Sequence, residues 1–305
     1  MLLSFVDTIA HIKSLALQDF DREVTEKQLC YHTRDHIAGV QRRASQIFQV
    51  ICPYLPPTED IERLEQLLDL CAATHDLIQI FVPQSDPHTS RRREAGVSEA
   101  ATIERILELI HQLNQQSPND IACFAKRDIQ IIQEAIAATI CDYDPIEQAI
   151  FQPALHSHQP ISVVARILAL ADIGALGMEG TVAYNTEGCL LFLEENPDVR
   201  SLLETQQLSS LIAHDPLLYE NVRQRLLKRA QFQVNLAKSR LNRCPQEFAG
   251  FPPGAIPSLI HEVFQYLTPA TIREIEKSTP IAENTPLEVL THFFQFEQRI
   301  SKTFP

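Results

Sequence analysis

The sequence predicts a nearly all-α protein, and three observations carry this prediction. Helix-forming residues dominate the 305 positions, glycine occurs only 8 times, and short β-branched runs bounded by turns are hard to find. With 45% hydrophobic and 21% charged residues, the chain can bury one large core or two smaller ones. A parallel-sheet nucleotide-binding fold is therefore disfavoured.

Apolar residues at helical spacing predict the helices in chain order. The first lies over about 2–19, and Thr25 with Gln28 forms a capping box that begins a second helix, which Pro53 ends. A third helix begins after Thr58 and has acidic residues in its first turn. Four further helical patterns follow, at about 97–114, 126–140, 161–178 and 217–243.

Two segments interrupt this helical pattern. The first is the polar loop VPQSDPHTSRRREAG, residues 82–96, which is too long and too charged for a simple connection and is predicted to lie over a site. The second is the Pro/Gly-rich stretch at 244–258, which predicts a linker. We therefore divide the chain into a main helical domain, 1–243, and a helical appendage, 244–305, that packs back on it.

Composition and charge restrict the partners and the location. The net charge of −13 argues against general affinity for DNA or for an anionic membrane surface. No uncharged run approaches the ~18 residues of a membrane span, and the N-terminus lacks a basic region. Seven cysteines without a CxxC pair predict reduced thiols and a cytoplasmic location. The oligomeric state is left open, a homodimer included.

The predicted helix at about 217–243 is basic, unlike the chain as a whole, and has no acidic residue between positions 221 and 243. Its basic residues are Arg223, Arg225, Lys228, Arg229, Lys238, Arg240 and Arg243. Pairing with acidic neighbouring helices is the expected role of these side chains. A positive surface for an anionic substrate or for RNA is the alternative, although no aromatic ladder supports the stacking of single strands.

Side chains of the types that bind metals occupy apolar stripes on three predicted helices. His75 continues the stripe of the third helix, and Asp76 follows it directly. His32 and His36 are four residues apart and are predicted to share the inward face of the second helix. Asp172 takes a position where the pattern of its helix calls for an apolar side chain.

Leaving such groups buried and unpaired costs on the order of several kcal/mol. One divalent cation held by His36, His75, Asp76 and Asp172 would satisfy all four. Two imidazoles and two carboxylates suit Mn, Fe, Co, Ni or Zn, or Mg with waters. The alternative for His75 and Asp76 is a hydrogen-bonded structural pair.

The order of the four expected ligands, an H, then an HD pair, then a D, resembles the HD superfamily of metal-dependent phosphohydrolases. Tyr31 and His32, followed by His36, also resemble the YHNxxH segment of the cyclic-nucleotide phosphodiesterases, and ALADIG resembles their ADL segment. The resemblance covers about residues 25–180. It implies an HD-domain or phosphodiesterase-like helical bundle with extra C-terminal helices.

The resemblance also implies roles for these residues. The four ligands would bind one or two divalent ions, and a single ion is favoured because ATICDYD lacks a histidine that some members carry there. His32 would be the general acid that protonates the leaving oxygen, while a metal-activated water attacks phosphorus.

Gln79 sets this chain apart from the family pattern, and other residues are candidates for the missing catalytic and binding roles. Gln79 stands three residues after the HD aspartate, where relatives carry Glu or His, so catalytic help is expected from elsewhere. Glu94, in RRREAGVSEA, resembles the acidic residue of an NExxS segment of small HD hydrolases and is expected to orient the water. Arg91, Arg92 and Arg93 are candidates for binding the substrate phosphate, with a solvated run as the alternative.

The sequence thus predicts an HD-type phosphohydrolase, a phosphomonoesterase or phosphodiesterase, that cleaves a phosphate ester of a small metabolite such as a nucleotide or cyclic nucleotide. The first alternative is a non-hydrolytic HD-type regulatory protein that binds nucleotide and metal, which Gln79 favours. The second is a diiron oxygenase of the HD fold. It would need further ligands, and the available histidines are His88, His111, His156 and His158. The alternative for His111 is a half-buried position near the end of its helix, and for the other three a place in a loop.

Overall fold

A computed structural model describes residues 4–116 and 122–296. Within these residues the fold is all-α, as the sequence predicts, with one small sheet. The α-helices of the described residues are α1 (Phe5–Lys27), α2 (Arg34–Ile51), α3 (Ile61–Thr74), α4 (Val97–Gln116), α5 (Lys126–Ala138), α6 (Val163–Asp172), α7 (Ala175–Glu179), α8 (Thr181–Glu195), α9 (Pro197–Glu204), α10 (Leu211–His214), α11 (Pro216–Phe248), α12 (Ile256–Ser258), α13 (Pro269–Ser278) and α14 (Leu287–Phe294).

The sheet is a short antiparallel hairpin between α5 and α6. Its strands are β1 (Asp142–Asp144) and β2 (Ala149–Phe151), which pair with Tyr143 opposite Ile150. The start of the first predicted helix and the end of the predicted appendage, residues 297–305, lie outside the described residues. No helix in the described part of the chain is long and apolar enough to cross a membrane.

Helix α3 shows how local sequence places the predicted metal ligands. The Asp60 side chain accepts a hydrogen bond from the Arg63 backbone N–H and caps the helix, as expected for an acidic residue at this position. The apolar face of α3 packs into the core, and the helix ends at Thr74. His75 and Asp76 therefore lie at its C-terminal end, directly beside buried helices.

Two predicted helices have different boundaries in the structure. Helix α1 continues to Lys27, so Thr25 is an interior residue whose hydroxyl donates to the Asp21 carbonyl, and Gln28 ends the helix with a left-handed backbone. The predicted capping box is therefore wrong, and α2 begins only at Arg34. The pattern at 161–178 forms two helices, α6 and α7, because the chain turns after Asp172.

The main core lies among α1 to α6 and includes side chains from the predicted appendage. Phe251 and Phe264 are buried in the same cluster as the residues of α2, α3 and α6. The Phe264 ring approaches Gly177 so closely that a Cβ atom there would lie 2.7 Å from it. The predicted division after residue 243 stays a prediction, but α11 continues through this position to Phe248.

A second core joins α8, α9, α11 and α14. Its buried side chains include Phe192 of α8, Val199 of α9, Leu226 of α11 and Phe294 of α14. This packing fixes the C-terminal end of α8 against the rest of the molecule. Sequence periodicity did not predict α8 or α9, yet α8 carries a residue that contacts the candidate site.

Acidic neighbours accompany most basic side chains of α11. The pairs within 4.0 Å are Arg223–Glu220, Arg225–Asp198, Lys238–Glu276, Arg240–Glu247 and Arg243 with Asp144 and Glu147. Pairing with acidic neighbouring helices is therefore confirmed for Arg225 and Lys238, whereas Arg223 and Arg240 pair within α11 and Arg243 pairs with the hairpin segment. The nucleic-acid alternative loses most of the positive surface on which it rested.

Candidate metal centre

Three helices bring the four predicted metal ligands together. His36 lies in the first turn of α2, His75 and Asp76 follow α3, and Asp172 is the last residue of α6. One ligand atom of each residue lies within 4.8 Å of those of the other three. This group of two histidines and two aspartates could hold a metal ion.

Each imidazole faces both carboxylates. His75 Nε2 lies 3.0 Å from Asp76 Oδ2 and 3.5 Å from Asp172 Oδ1. His36 Nε2 lies 3.2 Å from Asp76 Oδ2 and 3.5 Å from Asp172 Oδ1. Two nitrogen and two oxygen atoms of the types that divalent cations prefer therefore surround one point.

Hydrogen bonding around His75 supports a cation at this point. Its Nδ1 lies 3.1 Å from the Ala72 carbonyl oxygen, which fixes Nδ1 as the protonated nitrogen of the neutral ring. The Nε2 atom then carries a lone pair, and it is buried without a hydrogen-bond partner, like Nε2 of His36. Lone pairs that face carboxylate oxygens need a cation between them, so these residues fit a divalent metal.

The electrostatics of the cluster point the same way. Burial alone would lower the pKa of His36, but the nearby Asp172 and Asp76 carboxylates more than offset it and raise that pKa. The pKa of His75 is raised well above its ordinary value because the Asp76 and Asp172 carboxylates outweigh burial. Burial would raise the pKa of Asp76, but the His75 and His32 charges hold it well below its usual range. The cluster therefore keeps its carboxylates ionised and favours the binding of a cation.

His32 lies beside this cluster, in the turn that precedes α2, and not on the helix face that the sequence predicts. Its Nε2 atom is 3.7 Å from Asp76 Oδ2. Its Nδ1–H donates to Glu194 Oε1, on α8. One ring nitrogen of His32 therefore faces the metal ligands, and the other is held by a carboxylate.

Glu194 also fixes the backbone that carries His32. Its Oε2 accepts hydrogen bonds from the backbone N–H groups of Cys30, Tyr31 and His32 at 3.0, 2.9 and 3.0 Å. Burial would raise the pKa of Glu194, but the His32 charge and these hydrogen bonds lower it to about 2. This carboxylate is fully buried and orients both the ring and the turn of His32.

Sequence reasoning missed Glu194, because no clear helical pattern marked residues 181–216. The available signal was an acidic residue at the end of the apolar run CLLFLEE, where a buried carboxylate needs a partner. That signal could not identify His32 as the partner, since 162 positions separate the two residues.

Gln79 and Arg93 complete the surroundings of Asp76. The buried Gln79 amide donates to Asp76 Oδ1 at 3.1 Å and to the Asp76 carbonyl oxygen at 3.2 Å. Its own oxygen accepts from Arg93 Nη1. The same Nη1 lies 3.0 Å from His32 Nε2, so Arg93 contacts the candidate acid directly.

The other predicted site residues of this loop, Arg91, Arg92 and Glu94, do not contact the cluster in the way that Arg93 does. Arg91 donates to the backbone carbonyls of Glu194 and Lys27, and its guanidinium lies 4.0 Å from the centroid of the Phe81 ring. These contacts fasten the loop. The side chains of Arg92 and Glu94 are exposed to solvent. Of the predicted substrate-binding residues, Arg93 is thus the one that the fold brings to the cluster.

A second acidic residue, Glu99 in the first turn of α4, is electrostatically coupled to the cluster. Burial raises the pKa of Glu99, and the charges of Asp76 and Asp172 raise it further, while Arg93 lowers it. Glu94 and Glu99 both occur in RRREAGVSEA, and Glu94 is the one predicted from sequence. In the structure Glu94 is exposed in the loop, whereas Glu99 is half-buried in the first turn of α4.

The four histidines that could serve a second metal lie apart from the cluster. His88 pairs with Asp198 at 3.2 Å, and His156 lies 3.4 Å from Glu247. His111 and His158 are exposed. Among the described residues, the four-ligand cluster is the single group of three or more metal-binding side chains that lie close enough to share an ion.

Comparison of the chain with protein-family models, with curated proteins and with solved structures finds no match. The all-α architecture and the buried His/Asp cluster are compatible with an HD-like fold. The resemblance to the HD superfamily therefore remains an interpretation of the residues themselves.

Proposed function

We propose that the protein is a cytoplasmic, HD-type metal-dependent phosphohydrolase. The observation that carries this proposal is the buried cluster itself. The unpartnered Nε2 atoms of His36 and His75 face two ionised carboxylates, with His32 Nε2 only 3.7 Å from Asp76. A cation site with an adjacent proton donor is the arrangement that hydrolysis of a phosphate ester requires.

His36, His75, Asp76 and Asp172 would hold the metal. A divalent cation held there would supply a water nucleophile at neutral pH and would neutralise the charge that develops on a phosphoryl group. The hydrogen bond from His75 Nδ1–H to the Ala72 carbonyl would keep His75 oriented toward the ion. The hydrogen bond from the Gln79 amide would do the same for Asp76.

The protons move between named atoms of the chain. The water oxygen forms a bond to phosphorus while the bond from phosphorus to the leaving oxygen breaks. His32 Nε2 gives a proton to the leaving oxygen, since Nδ1–H is occupied by Glu194. We infer that Glu99, which is half-buried, takes the proton of the attacking water in place of the exposed Glu94.

The substrate class follows from the enclosure and charge of the site. The side chains of Asp76 and Asp172 are only 14% and 15% exposed, and this enclosure favours a small phosphorylated substrate over a folded macromolecule. Arg93 adds a positive charge at the edge of the cluster. We therefore assign a small phosphorylated metabolite, such as a nucleotide or cyclic nucleotide, as the substrate.

Metal analysis and a hydrolysis panel test this function together. Protein purified without chelator or affinity metal is analysed for bound metal and assayed with Mn against phosphate monoesters, diesters and nucleotides. We expect about one equivalent of metal and turnover of at least one substrate class. The double variant His75→Ala/Asp76→Ala should lose both, and failure of the wild-type protein to bind any metal would exclude the proposal.

A non-hydrolytic regulatory protein is the second candidate, and Gln79 is the observation that favours it. The amide is committed to Asp76 and Arg93, and it offers no base where relatives carry Glu or His. The same panel separates the two functions. Tight nucleotide binding by the metal-loaded protein without turnover of any ester would favour regulation.

A further inference from the structure

The positive charge of Arg93 is not neutralised by an ion pair. Its Nη1 donates to the Gln79 amide oxygen and lies 3.0 Å from His32 Nε2, and neither partner is a carboxylate. Across residues 4–116 and 122–296, no carboxylate oxygen lies within 4.0 Å of its guanidinium nitrogens. By contrast, the buried Arg43 of α2 lies 2.8 Å from Glu187 Oε1.

Gln79 explains how an arginine is held here without being neutralised. The amide accepts from Arg93 and donates to Asp76, which a glutamate could not do in its ionised form. A carboxylate at this position would also neutralise the guanidinium and repel Asp76. The glutamine that departs from the family pattern therefore keeps a full positive charge beside the cluster.

This charge exceeds what the cluster needs. Two carboxylates and two neutral imidazoles would be balanced by one divalent cation, so these four residues do not need the charge of Arg93. Burial raises the pKa of Glu99 and of Glu195, and the nearby Arg93 charge lowers both pKa values. A bound anion would therefore be the first direct ionic partner of the Arg93 guanidinium.

We propose that Arg93 is a specificity residue that binds a non-bridging oxygen of the substrate phosphoryl group and selects a dianionic phosphate monoester over a monoanionic diester. This proposal rests on the phosphohydrolase function above and deepens it. The guanidinium exchanges its contact with His32 Nε2 for the phosphoryl oxygen. That exchange leaves Nε2 directed at the leaving oxygen, while Gln79 keeps Arg93 in reach of the metal ligands.

Binding of small anions to the Mn-loaded protein tests this proposal without relying on turnover. Inorganic phosphate and dimethyl phosphate are titrated by calorimetry at about pH 8, where the first is mainly a dianion and the second a monoanion. For Arg93→Gln we expect phosphate affinity to fall about 10- to 100-fold, as for loss of a charge-assisted contact. Affinity for dimethyl phosphate should fall less, and Mn should remain bound.

Two further variants keep the test decisive. Arg93→Lys retains the charge but not the planar fork, so its loss of phosphate affinity should be smaller, and it serves where Arg93→Gln fails to fold. Arg127→Gln removes an exposed arginine of α5 that pairs with Glu59, and it should bind phosphate like the wild type. Unchanged phosphate affinity in a folded, Mn-loaded Arg93 variant would overturn the proposal.

The outcomes also separate this proposal from the proposed function. If the Mn-loaded wild-type protein binds phosphate through Arg93 but hydrolyses no ester, the anion site is supported and the phosphohydrolase function is excluded. If Arg93→Gln still hydrolyses esters with an unchanged ratio of monoester to diester rates, the phosphohydrolase function is supported and the specificity role of Arg93 is excluded. Absence of Mn binding by the wild type would overturn both.

Discussion

The His/Asp cluster and the Glu194 carboxylate are both buried charged groups next to His32, but they differ in whether their polar atoms have hydrogen-bond partners in the chain. The two oxygens of Glu194 accept from His32 Nδ1 and from three backbone N–H groups. In the cluster, the Nε2 atoms of His36 and His75 have no hydrogen-bond partner. Glu194 is satisfied by groups of the chain itself, whereas the ring nitrogens of the cluster would be satisfied by a bound cation.

This difference separates a structural group from a ligand-binding one. A buried carboxylate with a full set of donors rigidifies its surroundings and needs nothing from solvent. A buried set of acceptors without donors is costly until a cation binds. We therefore expect substitutions at the cluster to act on metal and turnover, and substitutions at Glu194 to act on stability.

The largest effect is expected for Asp172→Ala. Loss of this carboxylate removes one of four ligands, so the variant should lose its metal and lower turnover by about a thousandfold or more. Elemental analysis and the ester assay measure both quantities, with the exposed Asp142→Ala as control. Full activity in a metal-free Asp172→Ala protein would show that the cluster is not the active site.

His32→Gln should separate catalysis from metal binding. The variant should keep its metal, because His32 is not one of the four ligands, while turnover falls about 100- to 10,000-fold through loss of the general acid. The loss should shrink for an ester with a p-nitrophenolate leaving group, which needs little protonation. An equal loss for good and poor leaving groups would assign His32 a positioning role instead.

Regular helices explain why the ligands could be predicted from sequence. His75 and Asp172 each continue or interrupt an apolar stripe whose spacing is visible in the chain, and both lie where that spacing places them. His36 is also buried as predicted, although α2 begins at Arg34 and leaves His32 in the preceding turn. Local periodicity thus identified which side chains face the core.

Contacts between distant segments could not be predicted in this way. The bond between His32 and Glu194 depends on how α8 packs against the turn before α2, and no local pattern encodes that packing. For Gln79 the sequence showed only that a base was missing. Its role as a link from Asp76 to Arg93 appears once the loop after α3 is folded.

Glu194→Ala should reverse the pattern expected for Asp172. The variant leaves the N–H groups of Cys30, Tyr31 and His32 without their acceptor, so we expect about 3–5 kcal/mol of lost unfolding free energy. Urea denaturation measures this loss, and the exposed Glu104→Gln is the control. The folded fraction should still bind metal at the cluster. Loss of metal with unchanged stability would contradict the distinction between the two groups.

The pH dependence of stability gives the smallest and most specific test. The folded pKa values of His36 and His75 are raised above the ordinary 6.5, so the stability they contribute without metal is present below about that pH. It is lost as pH rises through the raised values. Glu194 behaves oppositely, since its folded pKa of about 2 lies below 4.5, and its contribution is lost only in acid.

Thermal unfolding with chelator and with Mn measures this difference. Protons and metal compete for the same imidazoles, so the increase in Tm that Mn produces should be larger at about pH 8 than at about pH 6. His75→Gln should abolish this pH-dependent increase, because it removes one of the competing sites. An Mn-induced shift that stays constant across this range would mean that the ion binds elsewhere, since no other described group of ligands combines buried imidazoles with two carboxylates.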